Sequence, residues 1–240
     1  WGALRWTDMG IFPLNGAALV WNRAAALGGT LFFFVLACTL LVRTERDAAA
    51  TLDRLQPARV VRGVLRLVPF VLLPLLIQGF LAIEIRQGFE GSVEVQRAAE
   101  YWRSNVATWK DFVPPEITRI DLRLDLEPSE RRMSVAGSYA LVNDTQEPMR
   151  WLPFTIGSSF GPVVWSLAGA ALAVESRSGL DVLTLPQALA PGAGLRLDFA
   201  YDATYPRGFT RNGGGAGTFI LPAGVLLSTH RGEFLPVAGF

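Results

Sequence analysis

Few residues in this chain of 240 could perform metal or redox chemistry. His230 is the only histidine, so these residues cannot contain HExxH or any metal site that requires two histidines. Cys38 is the only cysteine, which excludes an internal disulfide and a CxxC redox site. Two-histidine metal sites and dithiol sites are therefore excluded within this stretch of sequence.

Residues 157–161 read GSSFG and match GxSxG, the nucleophile-elbow pattern of serine hydrolases. Acids such as Asp198, and then His230, follow in the chain order that α/β-hydrolases use. The elbow requires a strand before it and a helix after it, whereas Pro162 follows at once and the surrounding pattern is β. We therefore interpret these residues as a Gly/Ser turn that matches the motif by chance.

Two further patterns suggest chemistry but lack its remaining parts. Residues 213–217, GGGAG, resemble a phosphate-binding loop but lack the Lys-Ser/Thr pair and a following helix, so they predict a hairpin tip. Asp121 and Asp125 fall on the outward face of a predicted strand, where we expect solvated side chains. The sequence gives no catalytic, cofactor-binding or metal-ligating residue that we would assign.

The composition indicates membrane-spanning helices. The chain is 50% hydrophobic and only 18% charged, below the ~25% of a typical soluble protein. Residues 24–42 and 67–83 are apolar runs bounded by charges, close to the ~20 residues that a helix needs to cross a bilayer. The second run contains Pro69, Pro74 and Gln78, which favours a kinked span packed against another helix.

Charge predicts the orientation of these spans. The loop from Arg43 to Arg66 holds six arginines and three acids, and short basic loops stay in the cytoplasm. The part of the chain after the second span, residues 84–240, has fourteen bases and seventeen acids. It therefore lacks the dense basic surface of a nucleic-acid binder. We expect a multi-pass protein of the inner (cytoplasmic) membrane whose later part is extracytoplasmic, with the lipid bilayer as partner and no nucleic acid.

Beyond the spans, apolar residues recur first at helical spacing and then at every second position. Helical spacing of apolar residues predicts an amphipathic linker helix that ends before Pro114 and Pro115, and its aromatic stripe could pack on the following domain or lie on a membrane. Alternation from Ile117 onward predicts short strands and turns, hence a β-sandwich. The helix stripe consists of Val95, Ala98, Trp102, Val106 and Trp109. Strands are expected around 120–126, 135–141, 149–156, 171–175, 181–185 and 195–201.

The β-region resembles a known family. Its first part resembles the entry to the N-terminal β-domain of zinc aminopeptidases of the alanyl-aminopeptidase (gluzincin) family. The residues that carry this resemblance are 115–128 (PEITRIDLRLDLEP), 130–132, 137–139, 141–143 and 147–148. Later parts of that domain are similar to residues 189–192, which precede the strand 195–201, and to residues 217–220, 233–236 and 239–240. Residues 5–10 with the two spans resemble the end of an ABC type-2 transporter permease, which one branch of the family carries ahead of its peptidase.

The resemblance implies three parts. These are the end of a membrane permease domain (1–88), an amphipathic linker helix (89–115) and an extracytoplasmic β-sandwich like the aminopeptidase N-terminal domain (116–240). The fold class is thus an α transmembrane hairpin followed by an all-β domain. The family's zinc site lies in a catalytic domain that would follow Phe240, so we expect zinc there and none in this chain.

Because the chain starts at Trp1 and contains one histidine, we expect it to be an inactive piece of a longer zinc enzyme. Its implied partners are its own downstream catalytic domain and an ABC ATPase subunit. Two alternatives stay open: a non-enzymatic two-span protein that presents a ligand- or partner-binding β-sandwich, and an active permease whose peptidase part has degenerated.

Overall fold

The computed structural model describes residues 12–40, 57–87, 92–205, 218–222, 224–228 and 234–240. Two long helices open the chain, α1 (Phe12–Leu40) and α2 (Pro57–Gln87). A shorter helix, α3 (Ser92–Trp109), leads into a region of antiparallel strands. The predicted fold class, an apolar helical pair followed by a helix and a β-domain, is confirmed. The basic loop 43–66 lies mostly outside the described residues.

α1 and α2 pack against each other through a narrow seam of small and aliphatic residues. Ala25 of α1 is buried with Ile77 and Leu81 of α2. Gly28 is also buried, and a Cβ built on it would lie 3.5 Å from the Pro74 Cβ atom, an ordinary contact distance. Gly28 therefore packs against Pro74 at this point of the seam, with room for a Cβ but for little more.

The outward sides of this helical pair are apolar. Leu27, Phe33 and Leu76 are among the large side chains that neither helix covers. The stretches Leu19–Thr39 and Leu65–Ile83 are long and apolar enough to cross a membrane, by length and composition. They overlap the predicted spans 24–42 and 67–83.

Nine of the strands belong to two sheets. The five-stranded sheet has the order β1-β2-β8-β4-β5, and the four-stranded sheet has the order β11-β3-β7-β6. A separate pair is formed by β9 and β10. The strands are β1 (Glu116–Glu127), β2 (Arg132–Val142), β3 (Met149–Thr155), β4 (Val164–Leu167), β5 (Ala170–Ala171), β6 (Ala173–Arg177), β7 (Leu180–Leu189), β8 (Gly194–Thr204), β9 (Phe219–Leu221), β10 (Gly224–Leu226) and β11 (Val237–Ala238).

Two tight hairpins fix the register of neighbouring strands. Ala168-Gly169 joins β4 to β5, and Ser178-Gly179 joins β6 to β7, with positive φ at all four residues. Two-residue loops of this conformation match the right-handed twist of the strands that they connect. The glycine in each loop adopts the left-handed region without steric cost.

The hydrophobic core lies between the two larger sheets. Met133, Tyr139 and Phe199 from the five-stranded sheet pack in one cluster with Leu152 and Phe154 from the four-stranded sheet. The rings of Tyr139 and Phe154 are parallel, with centroids 5.9 Å apart. Burial of both inner faces in a shared core is the packing of a β-sandwich.

The apolar row of β1 is less covered than its alternation predicts. Register with β2 places Ile120 beside Tyr139 and Leu124 beside Val135, on the core side of the sheet. The row Ile120, Leu122, Leu124 and Leu126 nevertheless stays 36–45% exposed. β1 is an edge strand of its sheet, and this exposure indicates that its inner face is only partly covered.

The six predicted strands all correspond to observed strands, although their bounds differ by a few residues. Alternation missed β4, which follows the turn at 157–161, and the short strands β5, β9, β10 and β11. These pieces are two to four residues long, too short for a period-two pattern to be distinguished from chance. The boundaries of the three predicted parts stay predictions.

Candidate functional site

Helix α3 is held on the β-domain by one side of its surface, the α3 junction (Tyr101, Asn105 and Trp109). These residues are spaced by four and therefore lie on one face of the helix. Trp109 packs in a small apolar cluster with Leu180 and Val182 of β7. The predicted linker helix thus packs on the β-domain through this face.

Asn105 makes the polar contacts of this junction. Its side chain is 0% exposed, and Nδ2 donates to the Tyr101 carbonyl oxygen at 2.9 Å and to the Arg177 carbonyl oxygen at 3.0 Å. The second bond joins α3 to the end of β6. Its Oδ1 atom and the Nε1 atom of Trp109 are buried without a partner among the described atoms.

Tyr101 connects the helix to the segment 234–240. Its hydroxyl lies 2.6 Å from Oγ1 of Thr155, and that hydroxyl donates to the Gly239 carbonyl oxygen at 2.8 Å. The ring of Phe240 stacks on Tyr101 at 5.1 Å and lies 5.3 Å from the Trp102 ring. Burial raises the pKa of Tyr101, and the hydrogen bond to Thr155 opposes that rise.

Two core tyrosines hold the same segment from the opposite sheet. The Tyr139 hydroxyl donates to the Pro236 carbonyl oxygen at 2.8 Å, and the Tyr201 hydroxyl donates to the Phe234 carbonyl oxygen. Burial raises the pKa of both phenols far above the ordinary value of 10, and the neighbouring Tyr205 adds to the rise at Tyr201. Both therefore act as neutral hydrogen-bond donors at physiological pH.

A buried carboxylate lies elsewhere in the sandwich, at Asp181 on β7. Its Oδ2 accepts from Nε1 of Trp165 at 3.0 Å, and its Oδ1 accepts from Oγ of Ser176 at 2.5 Å. Both oxygens are thus satisfied by fixed donors, as a buried polar group requires. The Trp165 indole is not a nucleophile, and the Ser176 hydroxyl donates directly to the carboxylate with no imidazole base between them, so we interpret this group as structural.

The outer face of the five-stranded sheet carries ion pairs between residues two apart on the same strand. Asp121, Ser138, Asp198 and Ser166 form one row through successive registers of β1, β2, β8 and β4. Asp121 accepts from Arg119 at 2.9 Å, and Asp198 accepts from Arg196 at 3.4 Å. Exposed pairs of this kind contribute little to stability. The predicted outward position of Asp121 and Asp125 is observed, although Asp121 is half-buried.

An open concavity of about 500 Å³ lies on this outer face. Its floor is formed by the small residues Ala136 and Ala200, with Arg123 and Asp125 on one side and Asp202 on another. Asp202 accepts from Oγ of Ser134 at 2.6 Å. The concavity combines both signs of charge over a small-residue floor, and sequence patterning alone did not reveal it.

The GxSxG residues do not form a nucleophile elbow. Phe160 bonds back to the Gly157 carbonyl oxygen at 3.1 Å, its ring stacks on Tyr201 at 4.3 Å, and β4 follows rather than a helix. Asp198 lies on the outer sheet face beside Arg196. His230 and the glycine-rich residues 213–217 lie outside the described residues. The interpretation as a turn is therefore supported by the geometry.

Residues Asn143-Asp144-Thr145 match the N-glycosylation sequon, but the Asn143 side chain is used in the hydrogen bonds of a turn. The side chain is 0% exposed; Nδ2 donates to the carbonyl oxygens of Glu147 and Leu189, at 2.8 and 2.9 Å. Its Oδ1 accepts from the backbone nitrogen and the hydroxyl of Thr145. A buried amide with these bonds is not available to a glycosylating enzyme in the folded chain.

Within the part of the chain that the structure describes, no group of three His, Cys, Asp or Glu residues could hold a metal ion. The described residues therefore do not fit a zinc site, and no chemical step is assigned to zinc here. The residues that sequence reasoning missed hold parts of the fold in place through buried hydrogen bonds. Asn105 and Asp181 are polar residues at buried places, which a single sequence does not distinguish from exposed ones.

No protein-family model matches the sequence, and comparison with curated proteins also finds no match. Structural neighbours are M1 zinc metallopeptidases. One is a mutant of the enzyme from Deinococcus radiodurans bound to a Tyr-Ser-Ala substrate, at 18% identity and a TM-score of 0.42. Another is the same organism's M1 zinc metallopeptidase at 20% identity and a TM-score of 0.40. Both matches cover 52% of this chain and 29% of the neighbour.

The chain therefore matches less than a third of the length of these neighbours. At such identity and TM-score the likeness is weak and concerns the fold alone. The activity, metal and substrates of those enzymes are properties of the neighbours.

Proposed function

We propose that this chain is a membrane-anchoring module that holds a β-sandwich at the extracytoplasmic surface of a bilayer. The observation that carries the proposal is the direct connection of α1 and α2, whose outward sides are apolar, to a helix fixed on the β-domain. Only four residues separate α2 from α3. A span so close to a docked helix would hold the β-domain near the membrane.

The orientation follows from the basic loop. Its arginine excess favours the cytoplasm, and both outer ends of the helical pair would then lie on the opposite side. The β-domain follows α2, so it would be extracytoplasmic, with α1 and α2 in the inner membrane. The bilayer is the immediate partner of the module.

We further propose that the β-domain is the N-terminal domain of a zinc aminopeptidase fused to an ABC-type permease. The sequence resemblance of residues 115–148 supports this assignment. In the whole protein the zinc site would lie in a catalytic domain beyond Phe240, and an ABC ATPase would bind the permease part. This chain would then tether and orient the enzyme and contribute no catalytic group.

The test compares two lengths of the protein in membranes. One comprises residues 1–240, and the other continues through the native coding sequence downstream. We expect HExxH roughly 100–200 residues beyond Phe240, with stoichiometric zinc and chelator-sensitive aminopeptidase activity only in the longer protein. A downstream sequence without HExxH, or zinc-dependent turnover by residues 1–240 alone, would contradict the peptidase assignment.

The concavity on the outer sheet face favours a second candidate function, in which a two-span protein binds a ligand or partner through its β-sandwich. Arg123 has no ion-pair partner among the described residues and lies beside the small-residue floor. A complete native protein that ends near Phe240 and binds a partner through this face would favour this function.

A further inference from the structure

Helix α3 leaves an apolar strip uncovered beside the face that it packs on the β-domain. Val95 is 61% exposed and Trp102 is 58% exposed. Seven residues separate them, so they lie nearly one above the other, two turns apart. Val106, half-buried, continues the strip by one more turn. The predicted stripe is therefore divided: Trp109 packs inward, whereas Val95 stays at the surface and Trp102 stays more than half exposed although its ring also contacts Phe240.

The position of this strip along the chain places it close to the end of a membrane span. The apolar stretch of α2 ends at Ile83, α2 itself ends at Gln87, and α3 begins at Ser92. Four linking residues reach at most about 14 Å when fully extended. The polar interface on each side of a bilayer is only about 5–8 Å thick, so the start of α3 cannot lie far from it.

The chemistry of the strip fits the interface between lipid and water. Tryptophan concentrates at the headgroup level because its ring is apolar and its N–H is polar. Arg103 flanks the strip on the side away from the β-domain, where it could reach lipid phosphates, and Lys110, 3.8 Å from Asp111, follows just after the helix. Glu100, exposed on the far side of the helix, would point to water.

We propose that α3 lies along the extracytoplasmic surface of the membrane, with Val95 and Trp102 among the lipid headgroups. The α3 junction then holds the β-domain on the adjoining side of the same helix. This inference rests on the proposed anchoring by α1 and α2. It adds a second membrane contact that fixes the orientation of the β-domain relative to the bilayer.

The test is nitroxide scanning of residues 1–240 in nanodiscs of phosphatidylcholine and phosphatidylglycerol. Cys38→Ala provides a cysteine-free background, and single labels are placed through Val95→Cys, Glu100→Cys and Leu73→Cys. Val95 and Glu100 lie about 140° apart around the helix and are both exposed or partly so, which makes them a matched pair. Collision with oxygen is compared with collision with a water-soluble nickel chelate.

The proposal predicts a ratio of oxygen to nickel collision several-fold higher at position 95 than at position 100, and highest at position 73. Equal aqueous ratios at 95 and 100 with a membrane ratio at 73 would overturn the surface contact and leave the anchoring intact. Shielding of position 95 from both reagents would show that protein covers the strip and would also overturn it. An aqueous ratio at position 73 would refute the anchoring itself, and this inference with it.

Discussion

Asn105 shows how one buried amide can determine the attachment of a whole helix. It donates to a carbonyl of its own helix and to a carbonyl at the end of β6, at a site that water does not reach. Removing this donor leaves the Arg177 carbonyl without its bond to α3, at a cost of about 1–3 kcal/mol, whereas the Tyr101 carbonyl keeps its backbone donor within the helix. Asn105 therefore links α3 to the sandwich.

Asn105→Ala is expected to loosen α3 from the β-domain, and Asn105→Asp should do so more strongly because a carboxylate would face two carbonyl oxygens. Hydrogen exchange of α3 amides should accelerate while exchange in β2 and β8 changes less. Gln96→Ala, which removes an exposed amide from the same helix, is the matched control and should leave exchange in α3 nearly unchanged. Equal exchange in all three variants would contradict the role of Asn105.

The buried tyrosines make stability sensitive to alkaline pH. The folded pKa values of Tyr139 and Tyr201 are raised by burial, whereas the unfolded chain ionises near ~10. Between those values the unfolded state binds fewer protons than the folded state. The contribution of the two tyrosines to the free energy of unfolding is therefore fully present below pH ~10. Above that pH it falls by up to about 1.4 kcal/mol per pH unit for each tyrosine.

Tyr139→Phe combined with Tyr201→Phe should flatten this alkaline fall. At pH 7 the double variant should be less stable by about 1–3 kcal/mol, because the carbonyl groups of Pro236 and Phe234 lose their donors. Denaturant unfolding of the β-domain, followed by near-ultraviolet circular dichroism between pH 8 and 11, measures both effects. An identical pH profile in the double variant would contradict this account.

Among the elements, strands were predictable wherever one face alternates over several residues. β1, β2 and β8 were each apparent because Leu, Val and Tyr recur at every second position. The uncovered apolar row of β1 was not predictable, because alternation identifies the core side of a strand but not how far the opposing sheet extends. The need for glycine at position 137 was not predictable either, because it follows from contacts across the sheet: a Cβ there would lie 2.7 Å from Leu122 and 2.8 Å from Phe199.

Gly28 lies against Pro74 at the seam of the helical pair. Gly28→Leu would insert a side chain where a Cβ already contacts Pro74, so it should separate α1 from α2 and lower the thermal midpoint in detergent. Gly29→Leu is the matched control, because nothing lies within 4 Å of a Cβ at that position. Equal midpoints for the two variants would show that the helices do not pack at this seam.

At the scale of the whole molecule, the order of parts could be predicted and their mutual placement could not. Composition and charge identified two apolar helices, a basic loop and a later β-region. The α3 junction and the outer concavity each combine residues from distant parts of the chain. Such sites follow from tertiary packing, which a single sequence does not encode in any local pattern.

The central claim is that the helical pair spans a membrane and places the β-domain on its extracytoplasmic side. Single cysteines introduced in a Cys38→Ala background, at Ser129 in the exposed turn after β1 and at Ala49 in the basic loop, test it in intact spheroplasts. We predict that a membrane-impermeant maleimide labels Ser129→Cys from outside and labels Ala49→Cys only after permeabilisation. Labelling of Ala49→Cys from outside, or protection of Ser129→Cys until lysis, would contradict it.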